Sequence, residues 1–377
     1  MGRRIRTVVA AALAVVVTLV VLPGSATAAD DGGRIEARWQ ATGAEAGPLG
    51  APVGDPYDVG DGRGRDFAGG SIYWSPATDA WEVLGAVRDR FVELGGPTGV
   101  LGWPTAAAEP LPAPEGSLEQ VFTGGRFYVS PAGTVALSGA ILDRYLRIGA
   151  TTSYLGLPRT DTVPVTGGFQ TLFQRGNLRW SESTGATTVT GRWMPRVRRV
   201  TAAEIPYTYR AGCPVGPAQL RWIHMPYYDW NGEPQWGDLV ARSTVAGDLK
   251  RVFRKAFQAR FPIRRMNPAD VYDGVDVRAM AADNTSAFNC RKVTGNPYRL
   301  SQHSYGNAID INTVENPYVT RSRVYPTEGR AFLDRRRPRK GMILRNGPIA
   351  KAMRTEGWLW GARWAHPDYQ HFSSNGG

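Results

Sequence analysis

Two short stretches of the chain bring imidazoles and carboxylates close together. In "SQHSYGNAIDIN" (301–312), His303 and Asp310 stand seven residues apart; in "HPDYQHF" (366–372), Asp368 and His371 stand three apart. The whole chain has only four histidines, and three of them, His303, His366 and His371, fall in these stretches. Two imidazoles and one carboxylate, with a fourth position open to water, form a catalytic zinc arrangement. Such an ion acidifies water to a pKa of about 7 and polarises a carbonyl. It also needs a neighbouring base, and a spare carboxylate beside a ligand suits that task. A lone histidine on a strand is more often a hydrogen-bonded core residue. Two His/Asp pairs in so histidine-poor a chain favour the metal.

These side chains need elements to hold them. In "NAIDIN", Ile309 and Ile311 alternate with Ala308, Asp310 and Asn312, which predicts a short strand with the isoleucines buried and Asp310 on the other face. His303 precedes that strand across a turn containing Gly306, and Phe372 is placed to root the second arm in the core. "STVAGDLKRVFRKAFQARF" (243–261) has Val245, Leu249, Val252, Phe253 and Phe257 at helical spacing, with Ser243 or Thr244 as the expected cap. A second helix is expected near "GPIAKAMRTEGW". Helices and short strands without a βαβ rhythm predict an α+β domain from 200 to 377. His224, among aromatics in "RWIHMPYYDW", reads as structural. Ser301 and Tyr305 suit either substrate contact or turn formation.

The start of the chain reads as an export signal. Arg3, Arg4 and Arg6 precede a 16-residue apolar run and the small residues Ala26-Thr27-Ala28, so residues 1–28 are expected to be cleaved. The competing reading is an uncleaved anchor, for which the run is short. No later segment is apolar enough to span a bilayer. Export makes the two cysteines legible: Cys213 and Cys290 are an even pair in an oxidising compartment, favouring one disulfide over two free thiols. Charge is uneven. Residues 30–192 carry 13 basic and 18 acidic side chains, whereas residues 193–377 carry 29 and 15. A basic half on an exported protein suits an anionic polymer, and the absence of a basic-aromatic motif argues against nucleic acid.

Residues 33–192 repeat. "LGAP", "LGWP" and "LGLP" begin at Leu49, Leu101 and Leu155; a glycine (Gly33, Gly85, Gly139) stands sixteen residues before each, and an aromatic (Trp39, Phe91, Tyr145) ten before. Each unit reads as a short helix, a Gly-Pro turn and two short strands, too small to bury its aromatics without neighbours. No catalytic cluster of His, Asp or Glu lies within the repeats, which marks them as a binding or spacing module.

The repeats resemble the LGFP repeat of actinobacterial envelope proteins, although Ala51, Trp103 and Leu157 occupy its third position. That resemblance implies contact with the cell wall. "SQHSYGNAIDIN" is similar to the S-x-H-x-x-G-x-A-x-D motif of LAS-type zinc peptidases, the D-alanyl-D-alanine carboxypeptidase and L-alanyl-D-glutamate endopeptidase group. "GWLWGARWAHPDYQHF" resembles that group's closing motif, and "DNTSAFNCR" and "NPYV" its connecting segments. The resemblance spans about 204–372 and implies a small antiparallel sheet with helices. It further implies one zinc on His303, Asp310 and His371, Asp368 as general base, and Arg291 holding substrate or stabilising the developing oxyanion. "FSSNGG" after His371 lacks the acidic residue often found there. The expectation is a secreted or wall-associated zinc peptidase acting on peptidoglycan stem peptides, with the wall and its anionic polymers as partners. Two alternatives stand beside it: a wall-binding protein whose peptidase-like half does not cleave, and a zinc amidase acting on another envelope substrate.

Overall fold

The computed structural model describes residues 31–376, so the expected leader lies outside the described residues. No described helix is long and apolar enough to cross a membrane. Internal contacts divide the chain into two units, one reaching Gly99 with Trp103–Ala107, the other holding Val100–Gly102 and Ala108–Gly377. The first unit therefore carries the first repeat. It also takes Trp103–Ala107 from the second repeat, while the second unit carries the rest of that repeat, the third repeat and everything after them, and the boundary expected between 192 and 200 falls inside it.

Each repeat builds a four-stranded antiparallel meander where the sequence predicts two strands. In the first unit the strands are Pro52–Val59, Gly62–Phe67, Gly70–Ser75 and Asp79–Leu84. The unexpected leading strands of the first repeat are rich in glycine and charge, and the other two repeats open with strands of only two and three residues, so none shows the alternating apolar signal of a half-buried strand. The Leu-Gly pair is the structural nucleus. Leu49, Leu101 and Leu155 are fully buried. The glycines after them adopt φ of +70°, +66° and +68°, a left-handed turn that a side chain would strain. That turn aims carbonyls at the repeat's own hairpin and aromatic. The Gly69 amide donates to the Leu49 carbonyl at 2.7 Å. Likewise the Trp39 indole N–H donates to the Gly50 carbonyl at 3.0 Å, and the Tyr145 hydroxyl to the Gly156 carbonyl at 2.7 Å.

Within the second unit, the third repeat continues directly into an α+β region. Its sheet of Arg196–Arg199, Leu220–Tyr228 and Pro234–Arg242 is antiparallel. The helix Ala246–Gln258 lays Leu249, Val252, Phe253, Ala256 and Phe257 inward, as its periodicity predicts. Neither expected cap serves it: Val245 is the N-cap and no side chain bonds there. The backbone is already committed, since the Ser243 amide donates to Gln219. The second expected helix forms at Pro348–Thr355. Ile223 and Leu239 from the sheet, Phe253, Ile349 and Met353 from the helices, and Ile309 and Phe372 share one core.

Above this core lies a small antiparallel sheet in the order Ala308–Asp310, His371–Ser373, Leu359–Trp360. Its register sets Asp310 directly opposite His371 and Ile309 opposite Phe372. Since strand side chains alternate, the apolar pair roots in the core and the polar pair shares the opposite face. A Cys213–Cys290 disulfide closes across 77 residues of sequence, and Cys290 packs with Ile205, Val215 and Phe288.

Candidate metal and catalytic site

His303 reaches the small sheet from a short 3-10 turn, Gln302–Tyr305. The Ser301 hydroxyl accepts the His303 amide at 3.3 Å, which makes Ser301 a turn former. Gly306 ends the turn at φ +66°, where a Cβ would stand 2.8 Å from the Arg242 nitrogen. The His303 Nδ1 lies 2.5 Å from the Ala287 carbonyl. A carbonyl only accepts, so Nδ1 carries the hydrogen and Nε2 presents a lone pair. Such a second bond on the far nitrogen is how ligand imidazoles are oriented.

That lone pair meets two others. His303 Nε2 lies 3.2 Å from Asp310 Oδ2 and 3.2 Å from His371 Nδ1, and His371 Nδ1 lies 3.0 Å from Asp310 Oδ1. All three side chains are buried, and they are the described group whose donor atoms converge closely enough to hold a metal ion. Donors about 2.0–2.1 Å from a tetrahedral zinc stand about 3.3–3.4 Å apart. The observed spacings are close to that edge, so the donor set fits the ion. Electrostatics agree. Burial opposes ionisation of Asp310, yet the two imidazoles hold its carboxyl well below the usual carboxylate range. Burial likewise opposes the His303 cation, and the Asp310 carboxylate outweighs it, raising the imidazole's pKa. The cluster attracts positive charge, whether a proton or a metal ion.

Asp368 stands beside this cluster in one cavity of about 330 Å³. Its amide donates to the Gly361 carbonyl at 3.1 Å, while its buried Oδ1 has no hydrogen-bond partner among the described residues. Burial first, then the Asp310 charge, push its carboxyl up to about 8. A cation held by the neighbouring ligands would act in the opposite direction. An unpartnered buried carboxyl oxygen is costly unless something outside the protein fills the position.

Arg291 lines the same cavity but is not a free charge. Its Nη2 lies 2.6 Å from Asp276, its Nη1 donates to the Lys292 carbonyl, and its Nε has no partner among the described residues. Ser304, next to His303, bonds both the amide and the carbonyl of Arg291 at 3.0 Å, so the histidine turn and the arginine are built as one piece. His366 also lines the cavity, and His224 does not. His224 stacks on Trp236 at 4.3 Å and pairs with Asp238 at 2.9 Å, a structural role. Sequence reasoning did not single out Tyr318, Trp364, Gln370 or Arg299, which also line the cavity. "NPYV" contains Tyr318, but nothing in its spacing announced that it would return to pair with Asp368.

Residues 294–374 match the family model of D-alanyl-D-alanine carboxypeptidase. Residues 49–99, 101–153 and 155–196 match the LGFP repeat. Comparison with curated proteins returns no match. The arrangement is therefore the one the motifs imply, repeats followed by a peptidase-family segment. That segment contains His303, Asp310, Asp368 and His371, and it begins after Arg291 and Cys290.

Proposed function

We propose that this chain is an exported zinc peptidase that hydrolyses amide bonds in the stem peptides of peptidoglycan, held at the cell wall by its LGFP repeats. The observation that carries the reading is the convergence of two imidazoles and a carboxylate beside an unpartnered carboxyl oxygen in one cavity. His303, Asp310 and His371 hold the zinc, and Asp368 is the general base. Bound there, zinc supplies a Lewis acid that polarises the scissile carbonyl and makes water nucleophilic at neutral pH.

The protein's own groups do the rest. Asp368 takes the proton from the attacking water and returns it to the departing amine. Arg291, fixed by Asp276 and Ser304, places positive charge beside the cavity to hold substrate or offset charge developing on the carbonyl oxygen. The leader directs export, the basic second half favours a wall rich in anionic polymers, and the repeats add contact area. Mass spectrometry of wall digests tests the activity. Incubation with the zinc-loaded protein should shorten or split stem peptides, and a chelator should abolish this. Stem peptides left intact by zinc-loaded protein would overturn the proposal.

A further inference from the structure

The cavity carries two guanidinium groups in different electrostatic settings. Arg291 is compensated by Asp276, whose Oδ2 also accepts the Thr294 hydroxyl at 2.5 Å. Arg299 sits on the strand Asn296–Leu300, lines the cavity, and is exposed. It has no acidic partner among the described residues. The other carboxylates of the lining, Asp310 and Asp368, are buried. One uncompensated cation therefore faces a cavity that holds the reactive groups.

We infer that Arg299 binds a carboxylate of the substrate and thereby sets which bond lies over His303, Asp310 and His371. The inference rests on the peptidase reading and specifies what that site selects. A guanidinium presents a planar fork that matches a carboxylate in two parallel hydrogen bonds. Its position is fixed relative to the reactive groups. The strand pairs Leu300 with Lys292 and runs through Ser301 straight into the histidine turn. Arg299 and His303 are four positions apart in sequence, so their Cα atoms are at most about 14 Å apart. The carboxylate it holds consequently lies within a few residues of the cleaved bond. A chain-terminal carboxylate and an acidic side chain both offer this chemistry.

The test uses the full chain and synthetic stem tetrapeptides whose C-terminal or side-chain carboxylate is either free or amidated. Amidating the recognised carboxylate should lower the wild-type kcat/KM about fivefold to tenfold, and which amidation matters identifies its source. Arg299→Ala should cleave both forms at the amidated rate with zinc content unchanged, and Arg299→Lys should keep part of the preference. A full preference retained in Arg299→Ala, or an equal loss on free and amidated peptides, overturns the inference. If the wild type cleaves none of the peptides, the peptidase reading fails. Calorimetric binding of the same peptides then decides Arg299 separately. A carboxylate-dependent affinity lost in Arg299→Ala supports it, while equal affinities or no binding refute it.

Discussion

Asp310 and Asp368 are chemically alike, and only their neighbours assign them different work. Asp310 lies within 3.2 Å of both imidazoles, whereas Asp368 leaves an oxygen unpartnered in the cavity. Asp368→Asn keeps the shape and removes the base, so zinc should stay bound while kcat falls by ~10²–10⁴-fold. Asp310→Asn should instead weaken zinc binding, because an amide replaces an anionic ligand. Bound zinc and turnover measured in both variants separate the roles, and an active, zinc-loaded Asp368→Asn would move the base elsewhere. A second carboxyl carries a pH signature away from the site. Glu315 is buried, with Oε2 unpartnered, near Asp283 and with Arg264 at 3.6 Å from Oε1. Burial, then the neighbouring Asp283 carboxylate, raise it from 4.5 to about 8. Below 4.5 folded and unfolded chains both hold this proton. Between 4.5 and 8 only the folded chain does, so Glu315 costs stability progressively as pH rises. Glu315→Gln should therefore gain about 2–4 °C in apparent melting temperature over the wild type between pH 5 and pH 8.5. A difference that stays flat with pH would show that Glu315 is not protonated in the fold.

Elements translate these residues into geometry, and they differ in how much the sequence reveals of them. The helix Ala246–Gln258 was readable because one apolar face at 3.6-residue spacing admits few alternatives. Its start was not, since a cap depends on what the preceding loop is doing, and Ser243 is engaged with Gln219. The "NAIDIN" strand was readable from its buried isoleucines, although it ends at Asp310 and Ile311 lies just beyond it. Its pairing with His371 was not, because spacing along the chain says nothing of register between strands 61 residues apart. The motif resemblance supplied what spacing alone could not. The extra strands in each repeat escaped notice for a different reason: they are glycine- and charge-rich or only two or three residues long, and carry no alternating apolar pattern. Gly306 shows how an element would control the proposed metal site. Alanine there would meet a positive φ and place its Cβ 2.8 Å from the Arg242 nitrogen and 3.0 Å from the Leu220 side chain. The turn must shift, and His303 shifts with it. Gly306→Ala should cost about 1–3 kcal/mol of stability and weaken zinc binding measurably, although it removes no ligand. Unchanged zinc affinity would show that the ligand geometry tolerates displacement of the turn.

At the scale of the molecule, the question is where the proposed catalytic region ends. A chain starting at residue 200 is the natural truncation from the sequence, since all candidate catalytic residues lie beyond it. The contacts inside the second unit argue against that cut. The third repeat packs directly on the α+β region: Trp193 lies 5.6 Å from Phe257 and Tyr154 lies 4.8 Å from Trp236, ring centre to ring centre. Arg260 donates to the Val189 carbonyl at 2.9 Å, the Gly191 amide donates to the Tyr228 hydroxyl at 3.0 Å, and Arg144 pairs with Glu233. Starting at 200 would also remove the strand Arg196–Arg199 and bare the hydrogen-bonding edge of Leu220–Tyr228. Aromatic partners of this kind each contribute about 0.5–1.5 kcal/mol beyond the area they bury, and an uncovered edge strand promotes association. The sheet so exposed packs against the helix beneath the metal site, through Ile223 and Phe253. A chain of residues 100–377, which keeps the buried Leu101, should thus fold as a unit and keep the intrinsic cleavage of small soluble peptides. The 200–377 chain should melt several degrees lower, aggregate more readily and bind zinc less tightly. Calorimetric scans, light scattering and zinc titration of the two chains side by side provide the comparison. Equal stability and equal zinc affinity would mean that the third repeat is a passenger on the peptidase region, joined to it without supporting it.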